Sequence, residues 1–180
     1  MTLNQAKTLL TEKGIPFEVA QYENEAAYWQ HLMPFPRVKL ARPGPVAALV
    51  IPAVNGVKHI ELQFSRLRGE YVLEELWFGG YGFELFDTRE ENLPGELLEL
   101  IFHIAEGKLA VITATDLKRK RAWMGDACYD LTDADTVLGA PGFREAVKEI
   151  EAPKTFWQKL TGMQVRYDIY DWRTYRQIVK

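Results

Sequence analysis

The chain has 180 residues and a formal charge of −3, with 47% hydrophobic and 26% charged residues. That composition excludes a disordered or low-complexity chain and points to one globular domain over residues 1–180, long enough to bury a core without covalent staples. A single cysteine, Cys128, excludes an internal disulfide and any zinc site built on two cysteines, and the net acidity removes a global attraction to nucleic acid or anionic membrane.

The opening MTLNQAKTLL lacks a basic region followed by an apolar run, and no apolar stretch approaches the ~20 residues that span a bilayer. A lone thiol fits a reducing compartment. A cytoplasmic protein with no membrane partner is therefore expected.

Thr2 and Gln5 have capping-box spacing, and Leu3, Ala6 and Leu10 share one stripe, which predicts a first helix ended by Gly14 and Pro16. Residues 15–22 read as extended. A short helix is expected from Asn24, as cap, to Met33, with Pro34 stopping it. The Pro-rich stretch Pro34 to Pro45 is expected to be mostly irregular.

Asn55-Gly56 lies between two apolar runs, a strong hairpin mark. A two-residue turn there pairs Val54 with Val57 and sets Ile51 against Ile60, Leu49 against Leu62 and Ala47 against Phe64, all on one face. The other face carries Val50, His59, Glu61 and Gln63. Pro52 has no amide to offer His59, which predicts a bulge or an edge strand there. A second hairpin is expected with arms Tyr71 to Phe78 and Phe83 to Asp87, joined by a four-residue loop, Gly79 to Gly82. That loop pairs Phe78 with Phe83 and Leu76 with Leu85. A two-residue turn would instead oppose Glu75 and Glu84, an unfavourable like-charge pair.

Leu93 to Glu106 reads as a helix, capped by Asn92 or Leu93, with Pro94 in its first turn and Gly107 after it. Its apolar stripe is Leu93, Leu97, Leu100, Ile101 and Ile104. Leu109 to Thr113 reads as a buried strand, with residues 119–129 returning beside it. Helices are expected over Gly142 to Ile150 and Lys154 to Leu160, and a final strand over Gln164 to Tyr170. This order implies an α+β fold, an antiparallel or mixed sheet built from hairpins with helices packed mainly on one face.

No coherent catalytic set emerges, and no cofactor or metal is expected. Ser65, the only serine, lacks the glycine-flanked elbow of a nucleophile. Cys128 has no sequence neighbour that would lower its pKa, and reads as a small buried hydrophobe. The histidines, His31, His59 and His103, are far apart in sequence; His103 sits with Glu99 and Glu106 on a polar helix face, and His59 sits beside Glu61. Asp133 and Asp135 begin like a calcium loop, but Leu138 and Arg144 occupy its glycine and glutamate positions, so capping or turn chemistry is expected.

The run Lys118-Arg119-Lys120-Arg121, close to Trp123, is the one strong charge block. The adjacent aromatics Tyr28-Trp29, Trp77-Phe78 and Phe156-Trp157 point to opposite sides of their elements, so one ring of each pair is a candidate surface contact. Three functional readings result. The first is a noncatalytic protein-interaction module using Lys118, Arg119, Lys120, Arg121 and Trp123. The second is a small-molecule-binding protein or enzyme with a cleft between sheet and helices, using His59, Glu61, His103 and Cys128. The third, nucleic-acid binding through the Lys118–Arg121 tip, is disfavoured by the small basic footprint.

Overall fold

The structure is a computed structural model that describes residues 1–32, 43–83, 91–118, 124–132, 142–154, 159 and 162–180. In chain order these form α1 (Leu3–Glu12), β1 (Glu18–Tyr22), α2 (Glu25–Leu32), β2 (Val46–Ile51), β3 (Ile60–Leu67), β4 (Glu70–Phe78) and β5 (Tyr81–Phe83). They continue with α3 (Leu93–Ala105), β6 (Leu109–Asp116), β7 (Gly125–Asp130), α4 (Phe143–Glu151), β8 (Val165–Tyr170) and β9 (Tyr175–Val179). The fold is α+β, as the order of elements implies. Among the described residues no helix is long and apolar enough to cross a membrane.

The helix ends follow local chemistry. The Thr2 hydroxyl accepts from the Gln5 backbone while the Gln5 side chain accepts from Thr2 N–H at 2.7 Å, a complete capping box that satisfies amides the helix leaves open. Asn24 Oδ1 accepts from Ala27 N–H at 2.9 Å and starts α2.

The strands make two antiparallel sheets rather than one, ordered β1-β2-β3-β4-β5 and β7-β6-β8-β9. β8 is not the last strand. β9 follows it, and its residues lack the clean alternation that marks a strand in sequence. The β2–β3 register is the expected one, with Ile51 opposite Ile60, Leu49 opposite Leu62 and Ala47 opposite Phe64. The two-residue turn is not. The ladder stops at Ile51, before Pro52, which cannot donate to it.

A looser loop takes over. Gly56 N–H bonds Ala53 O at 3.0 Å, and Asn55 Oδ1 accepts from Val57 and Lys58 N–H at 2.8 and 2.9 Å. The Asn55 side chain and backbone then donate to Asp171 O at 2.7 Å and Trp172 O at 3.2 Å, tying the loop to the β8–β9 turn. Val54 and Val57 are left exposed instead of paired.

The second hairpin also departs from expectation. Phe78 faces Tyr81, Trp77 faces Gly82 and Leu76 faces Phe83, which leaves a two-residue turn, Gly79-Gly80. Gly79 has φ +58 and Gly80 does not have positive φ, the type II′ pattern that matches strand twist. Turn chemistry outweighs the like-charge argument. Glu84 to Asp87, the rest of the expected arm, lie outside the described residues, as do Asp133, Asp135, the Phe156-Trp157 pair and most of the Lys154–Leu160 and Pro34–Pro45 stretches.

The main core unites both sheets. Ala47, Leu49, Ile60, Leu62, Phe64, Leu76 and Phe78 of the first sheet meet Leu109, Val111 and Tyr170 of the second, with Leu3, Ala6 and Leu10 of α1 and Leu97, Ile101 and Ile104 of α3. The helices do not share one face. α2 covers the opposite face of the first sheet, where Tyr28 packs on Val46 and Ala48. α4 lays Phe143, Ala146, Val147 and Ile150 on Ile112, Tyr129 and Ile169, a separate layer of the second sheet. Once the strands divide between two sheets, each has apolar faces that need cover, and the helices distribute among them.

A candidate binding layer beneath the second helix

Strand alternation sends Leu62 and Phe64 into the main core and turns Glu61, Gln63 and Ser65 to the other face. Glu61 and Gln63 are almost completely buried, at 3% and 1% exposure. Burying a carboxylate costs several kcal/mol unless charge and hydrogen bonds offset it, roughly the scale of a whole interaction network. Where its partners lie is therefore informative.

One Glu61 oxygen, Oε1, stands 3.2 Å from His31 Nε2 on α2. The His31 ring is about half exposed, with 48% of its side chain accessible, so it links the buried carboxylate to solvent. Tyr28 lies one turn earlier on the same helix and is fully buried. Tyr22 of β1 packs edge-on to Tyr28 at 5.2 Å and tilts over His31 at 5.4 Å. Glu61 Oε2, Tyr28 Oη and Trp29 Nε1 are buried with no well-formed hydrogen bond among the described residues, although the Tyr28 hydroxyl stands close enough to Glu61 for each to shift the other's titration. They comprise one acceptor and two groups able to donate.

Titration follows from this geometry. Burial raises the Glu61 carboxyl above its ordinary 4.5, while neighbouring His31 and Tyr28 pull it back down. Burial and then the Glu61 charge push the Tyr28 phenol well above 10.0. Burial also raises Tyr22 to about 12, again with Glu61 contributing. Both phenols therefore stay neutral at physiological pH, and Glu61 is the group poised to take or release a proton, with His31 as its contact to solvent.

The polar layer continues along the sheet. Gln63 Oε1 accepts from Trp77 Nε1–H at 3.0 Å, Gln63 Nε2 approaches Glu74 Oε2 at 3.4 Å, and Ser65 Oγ–H donates to the same oxygen at 2.5 Å. A β-bulge between Gln63 and Phe64 shifts the β3–β4 register here. Beyond Ser65 and Glu74 lies a recess of about 420 Å³ whose walls include Glu25, Ser65, Arg66 and Glu74.

The residues singled out from the sequence divide among several places. His59 lies near this layer: its Nδ1 accepts from Ala53 N–H at 3.0 Å, and burial, then His31, lower its pKa below 6.5. Glu61 is at its centre. His103 is elsewhere, its Nε2 3.4 Å from Asp130 Oδ2 at a partly exposed contact. Cys128 packs against the main core, where burial and then Asp130 push its thiol to about 12. Such a thiol is a poor nucleophile. Lys118 is exposed just beyond β6, while Arg119, Lys120, Arg121 and Trp123 lie outside the described residues.

The described aromatic pairs do not supply a surface. Tyr28 and Trp29 both belong to the layer under α2, and Phe78 and Trp77 fill the cores on opposite faces of β4. His31 is the member of this candidate layer that the sequence does not single out. Its signal was its position three residues after Tyr28 on a helix that had to cover an inward-facing Glu61. Among the described residues no group of three or more His, Cys, Asp or Glu is arranged to hold a metal ion. Comparison with protein-family models, curated proteins and solved structures finds no match.

Proposed function

We propose that the protein binds a small polar molecule carrying a basic nitrogen in the layer between α2 and the first sheet. The observation that carries this reading is Glu61, a buried carboxylate bonded to His31 through one oxygen, with the Tyr28 hydroxyl nearby and no well-formed hydrogen bond at its other oxygen among the described residues. A ligand N–H would add a donor to that oxygen beside the one Tyr28 can offer, and a ligand acceptor would satisfy the Trp29 indole. The class of ligand is supported by the nearby recess, where Glu25 and Glu74 outnumber Arg66 among the charged walls. The Glu61 carboxyl, its pKa raised by burial, can give its proton to such a nitrogen.

The test is a thermal-shift screen of small amines, guanidines and nitrogen heterocycles against the wild type, Glu61→Gln and Tyr28→Phe, with hits confirmed by calorimetry. Stabilisation of the wild type by one chemical class, weakened at least about tenfold in affinity in Glu61→Gln, supports the reading. Hits that shift wild type and variants equally, or a panel without hits, would remove it.

A further inference from the structure

We infer that a recess beside the C-terminal end of β6 binds a small phosphate-bearing anion. The recess is separate from the layer under α2 and does not depend on it.

Three stretches of chain build it. Lys118 follows β6, Lys154 follows α4, and Lys159 and Gly162 precede β8. Leu117 N–H bonds Gln164 O at 2.8 Å and locks the first stretch to the third. The concavity has a volume of about 380 Å³, and its described lining is Lys118, Lys154, Lys159, Gly162, Met163 and Gln164. That lining holds three lysines and no carboxylate, in a chain whose net charge is −3. The local excess of positive charge is thus opposite in sign to the molecule as a whole.

All three lysines line the same recess, and two of their ammoniums are placed by the Gly162–Met163 backbone. Lys154 Nζ stands 3.4 Å from Met163 O. Lys118 Nζ stands 3.0 Å from where a Cβ on Gly162 would begin. Gly162 has φ +57, so glycine both permits this backbone and leaves room for the cation above it. The nearest acid on this stretch, Asp116, is buried at 4% exposure and accepts the Lys118 backbone N–H at 2.9 Å. Gathering like charges in one concavity is unfavourable without a counter-charge, and an anion with several oxygens answers several ammoniums at once. Its concave shape suits a compact phosphate group more than an extended strand, whose footprint would meet the net negative charge of the molecule.

Calorimetry with inorganic diphosphate at low and at physiological salt tests this on the full chain. The variants are Lys118→Gln/Lys154→Gln/Lys159→Gln and, as a control that removes the same charge, Lys7→Gln/Lys13→Gln/Lys148→Gln, each checked for fold by circular dichroism. Binding should weaken at least about tenfold in the triple variant, remain near wild type in the control, and fall as salt rises. Absence of binding to the wild type at low salt, or equal weakening in both variants, overturns the site. A single-stranded oligonucleotide that binds tightly and is not displaced by diphosphate overturns the small-anion assignment.

Discussion

The Tyr170 hydroxyl, fully buried on β8, donates to the Phe78 carbonyl at the end of β4 at 2.9 Å, across 92 residues of sequence. The same oxygen accepts from Gly80 N–H at 3.0 Å, and the two rings meet edge to face at 5.2 Å. One phenol thus fastens the second sheet to the tip of the first. Tyr170→Phe keeps the ring packing and strands a carbonyl and an amide. It should lower stability by about 1–3 kcal/mol, the cost of unpaired buried polar groups. Urea unfolding of both proteins measures it; an unchanged midpoint would show that the contact between the sheets does not depend on this hydroxyl.

The glycine next to this contact is constrained from two directions. Gly79 has φ +58, and a Cβ there would stand 2.8 Å from Tyr170 Oη and 2.9 Å from Lys58 Cδ. Gly56 has a similar φ of +69 with open space around it. Gly56→Ala should therefore cost only the left-handed backbone strain, about 1–2 kcal/mol. Gly79→Ala should cost that plus about 1–3 kcal/mol for displacing Tyr170 and Lys58. Thermal melts of the two variants side by side separate the contributions, and equal losses would mean that the close approach is relieved without penalty.

The parts of this fold legible in the sequence were those fixed by neighbours along the chain. The Thr2–Gln5 cap, the α3 stripe and the β2–β3 register depend on local spacing, and the structure keeps all three. The loop at Asn55-Gly56 did not follow because its partners, Asp171 and Trp172, come from the far end of the chain. The division into two sheets escaped for the same reason, since period-2 patterning reports which side of a strand is buried but not which strands share a sheet. At the candidate site, Glu61 and His59 were visible as polar residues on the face opposite the hairpin's apolar side, but the burial of Glu61 under α2 was not. His31 was not, because a helix of eight residues shows little periodicity and its partner lies 30 residues away. His103 and Cys128 had plausible chemistry but separate locations, a matter of tertiary geometry that spacing does not encode.

Cys128 should be chemically silent in the native protein. Its thiol rises from an ordinary 9.0 to about 12, three powers of ten, so at a given pH below both values it holds about a thousandfold less thiolate than an ordinary cysteine. Reaction with Ellman's reagent should be slow in buffer and fast in urea, where burial is lost. A native rate equal to the unfolded rate would show an open, reactive thiol and would return Cys128 to the set of candidate functional residues.

Glu61 should leave its mark on the pH dependence of stability. Burial raises its carboxyl above the ordinary 4.5, with His31 opposing the shift without cancelling it. Between those two values the folded protein retains a proton that the unfolded chain has released, so stability falls as pH rises. The contribution is fully present below 4.5 and lost once pH passes the raised value. His59 slopes the other way: its pKa is lowered from 6.5, so the unfolded chain binds the proton first and stability is lost as pH falls through that window. Glu61→Gln removes the first slope and leaves the second. The difference between variant and wild type, followed by urea unfolding across a pH series, should therefore move in favour of the variant as pH climbs from about 4.5, whatever constant offset the lost charge introduces. If the two curves run parallel, Glu61 does not hold its proton in the folded state, and the layer under α2 loses the ionisable centre on which its proposed ligand chemistry depends.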